Sequence, residues 1–531
     1  MKRDLSRRAF LTGSLAVGAA TATAGLLAGC SSSAEGSSVT DSGRAWSEEA
    51  DVVVVGMGFA GLAAAFTASQ QGASVIVLEK APEEYKGGDS RVSGQGSWVQ
   101  PDTDVAISYF KELNRPEDLI DIDDELIRTL IEGTAELPDW YEENFDLEMK
   151  LNPIIEFPNA PSAAKLQAEN TLVTKNGIGN SGVWLPMFET VSEASNVTFL
   201  YETPLTDLVF NADGAAIGVE ADNAGETISI KAKKGVIMAI GGYEANEKLK
   251  ANYLRYPALT WGCPYNTGDG IDICMKYDID FWHMNSSMSA ARMGCKASWL
   301  EGDLKDCTLD CLVVGNNGWI WVDKYGKRFM NELRYEAHGW QRNAVYWIDS
   351  FNLETPRMPL WQVMDEASAK SMGMDGLGWL NVVHEVKTSD QIDKLIENNL
   401  LVKADTLEEL ASKMGVDAAE LTASVEGFNA AATEGSEDPF GREAKSMEAI
   451  AGPYYAVLME PIMVNTNGGP RHDVNANILR TDGTPIDRLY AAGEFGSIWT
   501  YFYQGGGNIS ECMIFGRIAA ENAVALEAWD V

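Results

Sequence analysis

Histidine is scarce in this chain, and positive charge is heavily outnumbered. Among 531 residues there are four His and 41 Lys plus Arg against 78 Asp plus Glu, a formal net charge of −37. That balance excludes a nucleic-acid partner, because phosphate contacts need a basic face. An acidic shell serves solubility, or docks a basic redox partner. No Cys-x-x-Cys-His occurs, so no c-type haem is attached. After the N-terminal segment no run of 18 apolar residues follows, and a soluble body is the expectation. Proline is sparse at 18 against 50 Gly, and 45% of residues are hydrophobic, a composition of globular α/β enzymes. The length is too great for one small core, so two packed units are expected.

The first residues read as a targeting segment rather than as fold. Arg7 and Arg8 lie in Ser6-Arg-Arg-Ala-Phe10-Leu11, a twin-arginine export pattern, ahead of an Ala/Gly/Thr-rich apolar stretch. The stretch is short and poor in Leu, Ile and Phe, which argues against a transmembrane anchor. It ends in Leu27-Ala28-Gly29-Cys30, similar to a bacterial lipobox whose Cys carries lipid. The expected division is a signal over 1–29 and a flexible Ser-rich tether over 30–47. The implied location is the extracytoplasmic face of the membrane, with a lipid anchor at Cys30. Removing 1–29 leaves a charge of about −40.

The strongest motif follows the tether. Asp51-Val-Val-Val-Val55 is a β-branched apolar run, the pattern of a parallel strand buried on both faces. It enters Gly56-Met-Gly58-Phe-Ala60-Gly61 and then an Ala-rich helix ended by Gly72. A second strand, Ser74–Leu78, ends at Glu79. In this pattern Gly56 makes the tight turn, Gly58 admits a pyrophosphate, and Gly61 lets helix and strand pack closely. The pyrophosphate rests on the helix N-terminus, and Glu79 accepts from ribose hydroxyls.

Further segments carry a family resemblance. The loop Lys86–Gly96 contains Gly88, Asp89, Ser90 and Gly94; Gly235–Gly242 ends a third apolar run; Thr267-Gly-Asp269-Gly-Ile271 follows. Near the C-terminus stand Asp487–Glu494 and Gly505-Gly-Gly507-Asn508-Ile509. Their order resembles the fumarate reductase/succinate dehydrogenase flavoproteins from about Asp51 to Ala520. The resemblance implies an α/β fold, a Rossmann-like FAD-binding domain over 48–280 and 456–531 with an inserted α+β cap over 281–455. It implies FAD as cofactor, with Glu494 on the ribitol chain and the Gly505–Ile509 turn, Asn508 and Ile509 included, along the flavin's pyrimidine end. Some members bind FAD covalently through a His in the first loop. Here the first His is His283, so FAD is expected to be non-covalent. Within the expected cap, 405–434 shows two amphipathic helical patterns, and Trp319–Phe329 reads as a hairpin turning at Lys324–Gly326.

Cys263, Cys274, Cys295, Cys307 and Cys311 form a loose cluster, with Cys512 apart. Buried thiols, an unusual iron–sulfur cluster and a disulfide are all open readings; the spacing matches no common ferredoxin run. His283 reads equally as a pocket residue or a core residue, and His384 and His472 as structural.

The reactive positions depart from fumarate reductases, which clamp a dicarboxylate with His and Arg and protonate it with Arg. Aligned on Glu494 and Asn508, the clamp positions hold Thr500 and Gln504; aligned on Arg328–Glu332, the catalytic Arg becomes Glu336. A carboxylate substrate would meet a carboxylate there. Tyr503-Gln-Gly-Gly-Gly507 is more similar to the 3-ketosteroid dehydrogenase branch, where a Tyr hydroxyl and a Gly amide bind a ketone. That resemblance implies Tyr503 and the Gly507 amide as ketone donors, and Tyr335 as acid/base. The expected reaction is reduction of a C=C bond conjugated to a carbonyl, in a steroid-like or plant-derived enone, with cardiac glycoside reduction one concrete case. The expected electron donor is external, such as a cytochrome. Alternatives are a ketosteroid-type dehydrogenase, a reductase of unsaturated acids using Arg334, and a surface electron carrier.

Overall fold

The computed structural model describes residues 44–114, 122–254, 258–288, 293–305, 307–333, 345–434, 437–500 and 502–529. The export signal, the lipobox and most of the tether lie outside them, as do Arg334, Tyr335 and Glu336.

The β-branched run becomes strand Glu48–Val55, flanked on one side by Val75–Leu78 and on the other by Glu226–Met238. Val52–Val55 pair in parallel register with Val75–Leu78 and, across the other edge, with Gly235–Met238. Val197–Leu200 and Pro485–Ala491 extend the parallel sheet outward. Antiparallel strands Asn477–Leu479, Leu205–Phe210 and Ala216–Asn223 complete eight. Val52, Val53 and Val54 are fully buried, as a strand covered on both faces requires.

Helix Phe59–Gln70 returns along one face, with Ala63, Ala64 and Ala65 fully buried. The C-terminal helix Gly507–Ala525 packs on it so closely that a Cβ at Gly516 would come within 2.5 Å of the Ala60 carbonyl. Small residues on both helices permit that approach.

A second, seven-stranded sheet is centred on Tyr454–Met463, a strand that begins just before the expected cap boundary. Leu360–Met364 and Leu401–Ala404 pair with its first half, and Met293–Lys296 with its second. The two amphipathic patterns are helices Leu407–Met414 and Ala418–Glu434, which bury Leu410, Leu421 and Phe428 against Ile320 and Val322. Thr406 caps the first of them through Glu409 N at 3.2 Å. The expected turn at Lys324–Gly326 is present: Asp323 N donates to Lys327 O at 2.9 Å, and Val322 bridges Arg328.

Below that turn lies a buried ionic network. Glu332 accepts from Arg328 Nε at 2.7 Å and from Arg442 at 3.3 Å, and Arg328 also bonds Asp438. All four side chains are at most 4% exposed.

Candidate cofactor and active site

The C-terminal ends of the parallel strands open on a cavity of about 420 Å³. That size suits a cofactor or ligand pocket of roughly 300–1,000 Å³, in the usual place for an open α/β sheet. Gly56 turns the chain with φ +95°, and a Cβ there would collide with the Ala239 carbonyl. A Cβ at Gly61 would collide with Gly56 O, so this helix and strand meet as only glycine allows. Gly58 lies at the helix N-terminus with no side-chain cap, where a phosphate is favoured. The Ser90 hydroxyl accepts from Phe59 N at 2.8 Å and ties the first loop to that terminus.

Glu79 is buried at the end of the second strand, where its carboxylate accepts from Ala81 N at 2.9 Å and Gly87 N at 3.4 Å. Burial pushes its carboxyl above the usual range, so a donating ligand hydroxyl would stabilise the anion. At the opposite end, both polar atoms of the Asn508 side chain are buried without a partner. An orphaned amide facing a cavity calls for a ligand with both donors and acceptors, as a flavin pyrimidine ring has.

Twelve expected cofactor residues line this one cavity: Gly56, Gly58, Ala60, Glu79, Gly88, Asp89, Ser90, Gly94, Asp269, Glu494, Asn508 and Ile509. Gly61 and Gly242 do not. Gly61 packs beneath the turn, and Gly242 makes room for Glu494 and Thr466. Asp269 pairs with Lys80 at 2.7 Å. Sequence reasoning missed the short apolar pieces Ile154, Val173, Trp261, Leu312, Leu377 and Val464, which no motif marks.

Tyr503 lines the same cavity with Gly505, Gly506 and Glu156. Burial raises its hydroxyl pKa, with Glu156 contributing, so it is a neutral donor at working pH. The Gly507 assignment needs correction. Gly507 N donates to Gln504 O at 2.9 Å, which closes the turn before the helix, and Gly507 does not line the cavity. Its amide is already committed; the backbone beside Tyr503 in the cavity is Gly505–Gly506.

The two clamp positions are tied into the scaffold, Gln504 through its side chain and Thr500 through its backbone. The Gln504 side chain accepts from Tyr109 Oη at 3.0 Å and Glu156 N at 3.2 Å, and donates to Ile154 O at 2.9 Å. Thr500 N donates to Asn114 Oδ1 at 2.9 Å, and its carbonyl accepts the Ser286 hydroxyl. Neither residue lines the cavity, and among the described lining residues Lys80 is the single cation.

His283 is part-buried and does not line the cavity. It stacks on Trp282 with centroids 4.3 Å apart, its Nδ1 lies 2.7 Å from Ser497 O, and burial lowers its pKa to about 4. Among the described cysteines none is paired in a disulfide, and the Cys311 and Cys295 sulfurs lie 3.7 Å apart. Among the described residues no three Cys ligand atoms gather as a metal site.

A strand–glycine turn–helix cradle, an acid after the second strand and an orphaned amide at the far end define a dinucleotide-binding enzyme of the flavin type. A family model described as "FAD binding domain" matches residues 51–509, and the chain belongs to that family. The digoxin reductase of Eggerthella lenta is 27% identical, over 100% of this chain and 99% of that protein. A 3-oxosteroid 1-dehydrogenase of Mycobacterium tuberculosis is 28% identical, over 89% of this chain and 98% of its own length. The fold matches that of 3-ketosteroid Δ1-dehydrogenase from Sterolibacterium denitrificans with a TM-score of 0.75 and 21% identity, over 90% of this chain and 100% of that one. The protein is therefore an FAD-dependent oxidoreductase acting on CH–CH groups, with a Rossmann-like domain and a cap. Because the first loop has no His, acid precipitation should release all yellow colour into the supernatant; flavin retained in the pellet would contradict non-covalent binding.

Proposed function

We propose that this enzyme reduces a C=C bond conjugated to a neutral carbonyl, in a steroid-like or plant-derived enone. The observation that carries the reading is the buried Tyr503 hydroxyl in a cavity whose one described cation, Lys80, is paired with Asp269. Bound FAD supplies hydride chemistry. The Tyr503 hydroxyl donates to the carbonyl oxygen as enolate charge builds there, a stabilisation that needs no charge on the substrate. Trp261, Leu312 and Leu377 give the substrate apolar walls and exclude water. Tyr335 is assigned the proton at the α carbon, on the family resemblance. The names of the relatives, a digoxin reductase and a 3-oxosteroid dehydrogenase, support substrates of this kind.

Binding tests this without turnover. A neutral cyclic enone should perturb the absorption of the oxidised holoenzyme, and an unsaturated carboxylate of similar size should not. Tighter binding of the carboxylate would favour an acid reductase centred on Arg334.

The direction of reaction and the location belong to the same proposal. The enzyme acts as a reductase outside the cytoplasm, anchored through Cys30 and fed by an external donor such as a cytochrome. The Arg7-Arg8 pair and the Leu27–Cys30 pattern support the export reading. Replacing both Arg by Lys should leave unprocessed, FAD-loaded protein in the cytoplasm, and Cys30→Ala should abolish lipid labelling. Unchanged surface display of the double variant would remove the twin-arginine reading.

A further inference from the structure

Glu244 stands two residues beyond Gly242, in no role assigned so far, and is 0% exposed. Carboxylate oxygens of Asp89, Glu244 and Glu494 lie within 4.8 Å of one another. Asp89 and Glu494 line the FAD cavity, and Glu244 lies behind them. Among the described residues no hydrogen-bond donor reaches either Glu244 oxygen or Oδ2 of Asp89. The donors nearby serve other atoms. Cys263 N donates to the other Asp89 oxygen, and Thr466 gives its N–H at 2.9 Å and its hydroxyl at 3.3 Å to Glu494.

Among the described residues no counter-charge touches and neutralises this cluster. The Lys250 ammonium is turned to Ala258 O at 2.8 Å and to Glu247 at 2.8 Å. It reaches Glu244 only through Thr260, whose hydroxyl donates to the Glu244 backbone carbonyl. Lys80 is paired with Asp269. The Cys263 thiol, facing Asp89, is pushed well above its usual range by burial and by these acids. Three acceptors cannot hold one another apart from water unless a proton or a cation lies between them.

We propose that Glu244 is a neutral carboxylic acid in the FAD-loaded enzyme, donating its proton to the adjoining carboxylates, and that this shared proton is a condition of tight FAD binding. The acid hydrogen bond fixes Asp89 and Glu494 as acceptors for ligand hydroxyls, with one negative charge fewer to repel. Burial, then repulsion from Glu494 and Asp89, sets the Glu244 carboxyl well above the ordinary range. Burial first, then Asp89, brings Glu494 to about 8, and burial brings Asp89 to about 6. The sign follows from raised values: the arrangement is fully stable below the ordinary carboxylate range and is lost as pH rises through the raised values. FAD affinity should therefore fall on the alkaline side.

The test is FAD release from the holoenzyme, followed by flavin fluorescence on dilution between roughly pH 6 and 10. As the cluster loses its shared proton on the alkaline side, the dissociation constant should rise by up to about tenfold per pH unit, the slope of one lost proton. Glu244→Gln carries a donor that cannot ionise. It should bind FAD at pH 6 like the parent and hold it without that slope. Glu79 is also buried with a raised carboxyl, so a slope that persists in Glu244→Gln would place the proton on Glu79 or on Glu494 and overturn the proposal. A pH-independent parent enzyme would overturn it as well, as would alkaline affinity restored by added sodium or calcium ions. If Glu244→Gln does not fold, infrared difference spectra between FAD-loaded and FAD-free parent at pH 6 decide: a protonated-carboxyl band must respond to FAD, unlike that of Glu511, whose raised carboxyl lies outside the cavity, and no responding band contradicts the assignment. None of these readouts depends on the substrate.

Discussion

Tyr503→Phe should slow reoxidation of the reduced flavin by a neutral enone by about 100- to 1000-fold, the loss of roughly 2.7–4 kcal/mol of transition-state stabilisation from one preorganised donor. The ring stays, so its edge contact with Trp499, at 5.6 Å between centroids, is kept. FAD content and thermal stability should hardly change, and enone binding should weaken far less than the rate. Tyr335→Phe should also slow turnover, through loss of proton exchange. An artificial dye acceptor, which needs neither residue, should be reduced at the parent rate by both variants. If Tyr503→Phe turns over every enone tested as fast as the parent, the carbonyl-polarising role is wrong.

Glu332→Ala should cost about 3–5 kcal/mol of stability, because it removes one partner from a buried ionic network. Arg328 would keep Asp438, and Arg442 would keep the carbonyls of Trp319 at 2.8 Å and Ser446 at 2.8 Å. Neither guanidinium would have a carboxylate in place of Glu332, and at 0–4% exposure water cannot substitute. Glu332→Gln, which keeps the shape and one acceptor, should lose less. Thermal unfolding of FAD-loaded protein measures both, and an unfolding midpoint for Glu332→Ala equal to the parent's would contradict the network's role. The Arg328–Glu332 motif thus acts as scaffold for the cap, where fumarate reductases lead from it to a catalytic Arg.

The cofactor cradle was legible because its requirements are local. Gly56, Gly58 and Gly61 answer to a turn and a close helix–strand contact within six residues, and Glu79 ends the next strand. Gln504 was not legible as scaffold, since its partners Tyr109 and Ile154 are about 400 and 350 residues away in sequence. Gly507 misled for the opposite reason. A short turn spends its amide on Gln504 O, and the resemblance to Tyr-x-x-x-Gly does not show that capping bond. The cavity's apolar wall was invisible because Leu312 and Leu377 come from separate loops that only the second sheet brings to the flavin domain. Glu244 did have a signal: an acid just beyond a Gly-Gly pair, six residues past the buried apolar end Gly235–Met238 of its strand, has little water to face.

The central claim, a C=C reductase for neutral conjugated ketones, is tested most directly under anaerobic conditions. The purified enzyme is reduced with one equivalent of dithionite, and the flavin spectrum is followed as single substrates are added. The account predicts that neutral enones restore the oxidised spectrum and are consumed one for one, while fumarate and other unsaturated carboxylates do not. Reoxidation by unsaturated carboxylates but by no neutral enone would contradict it.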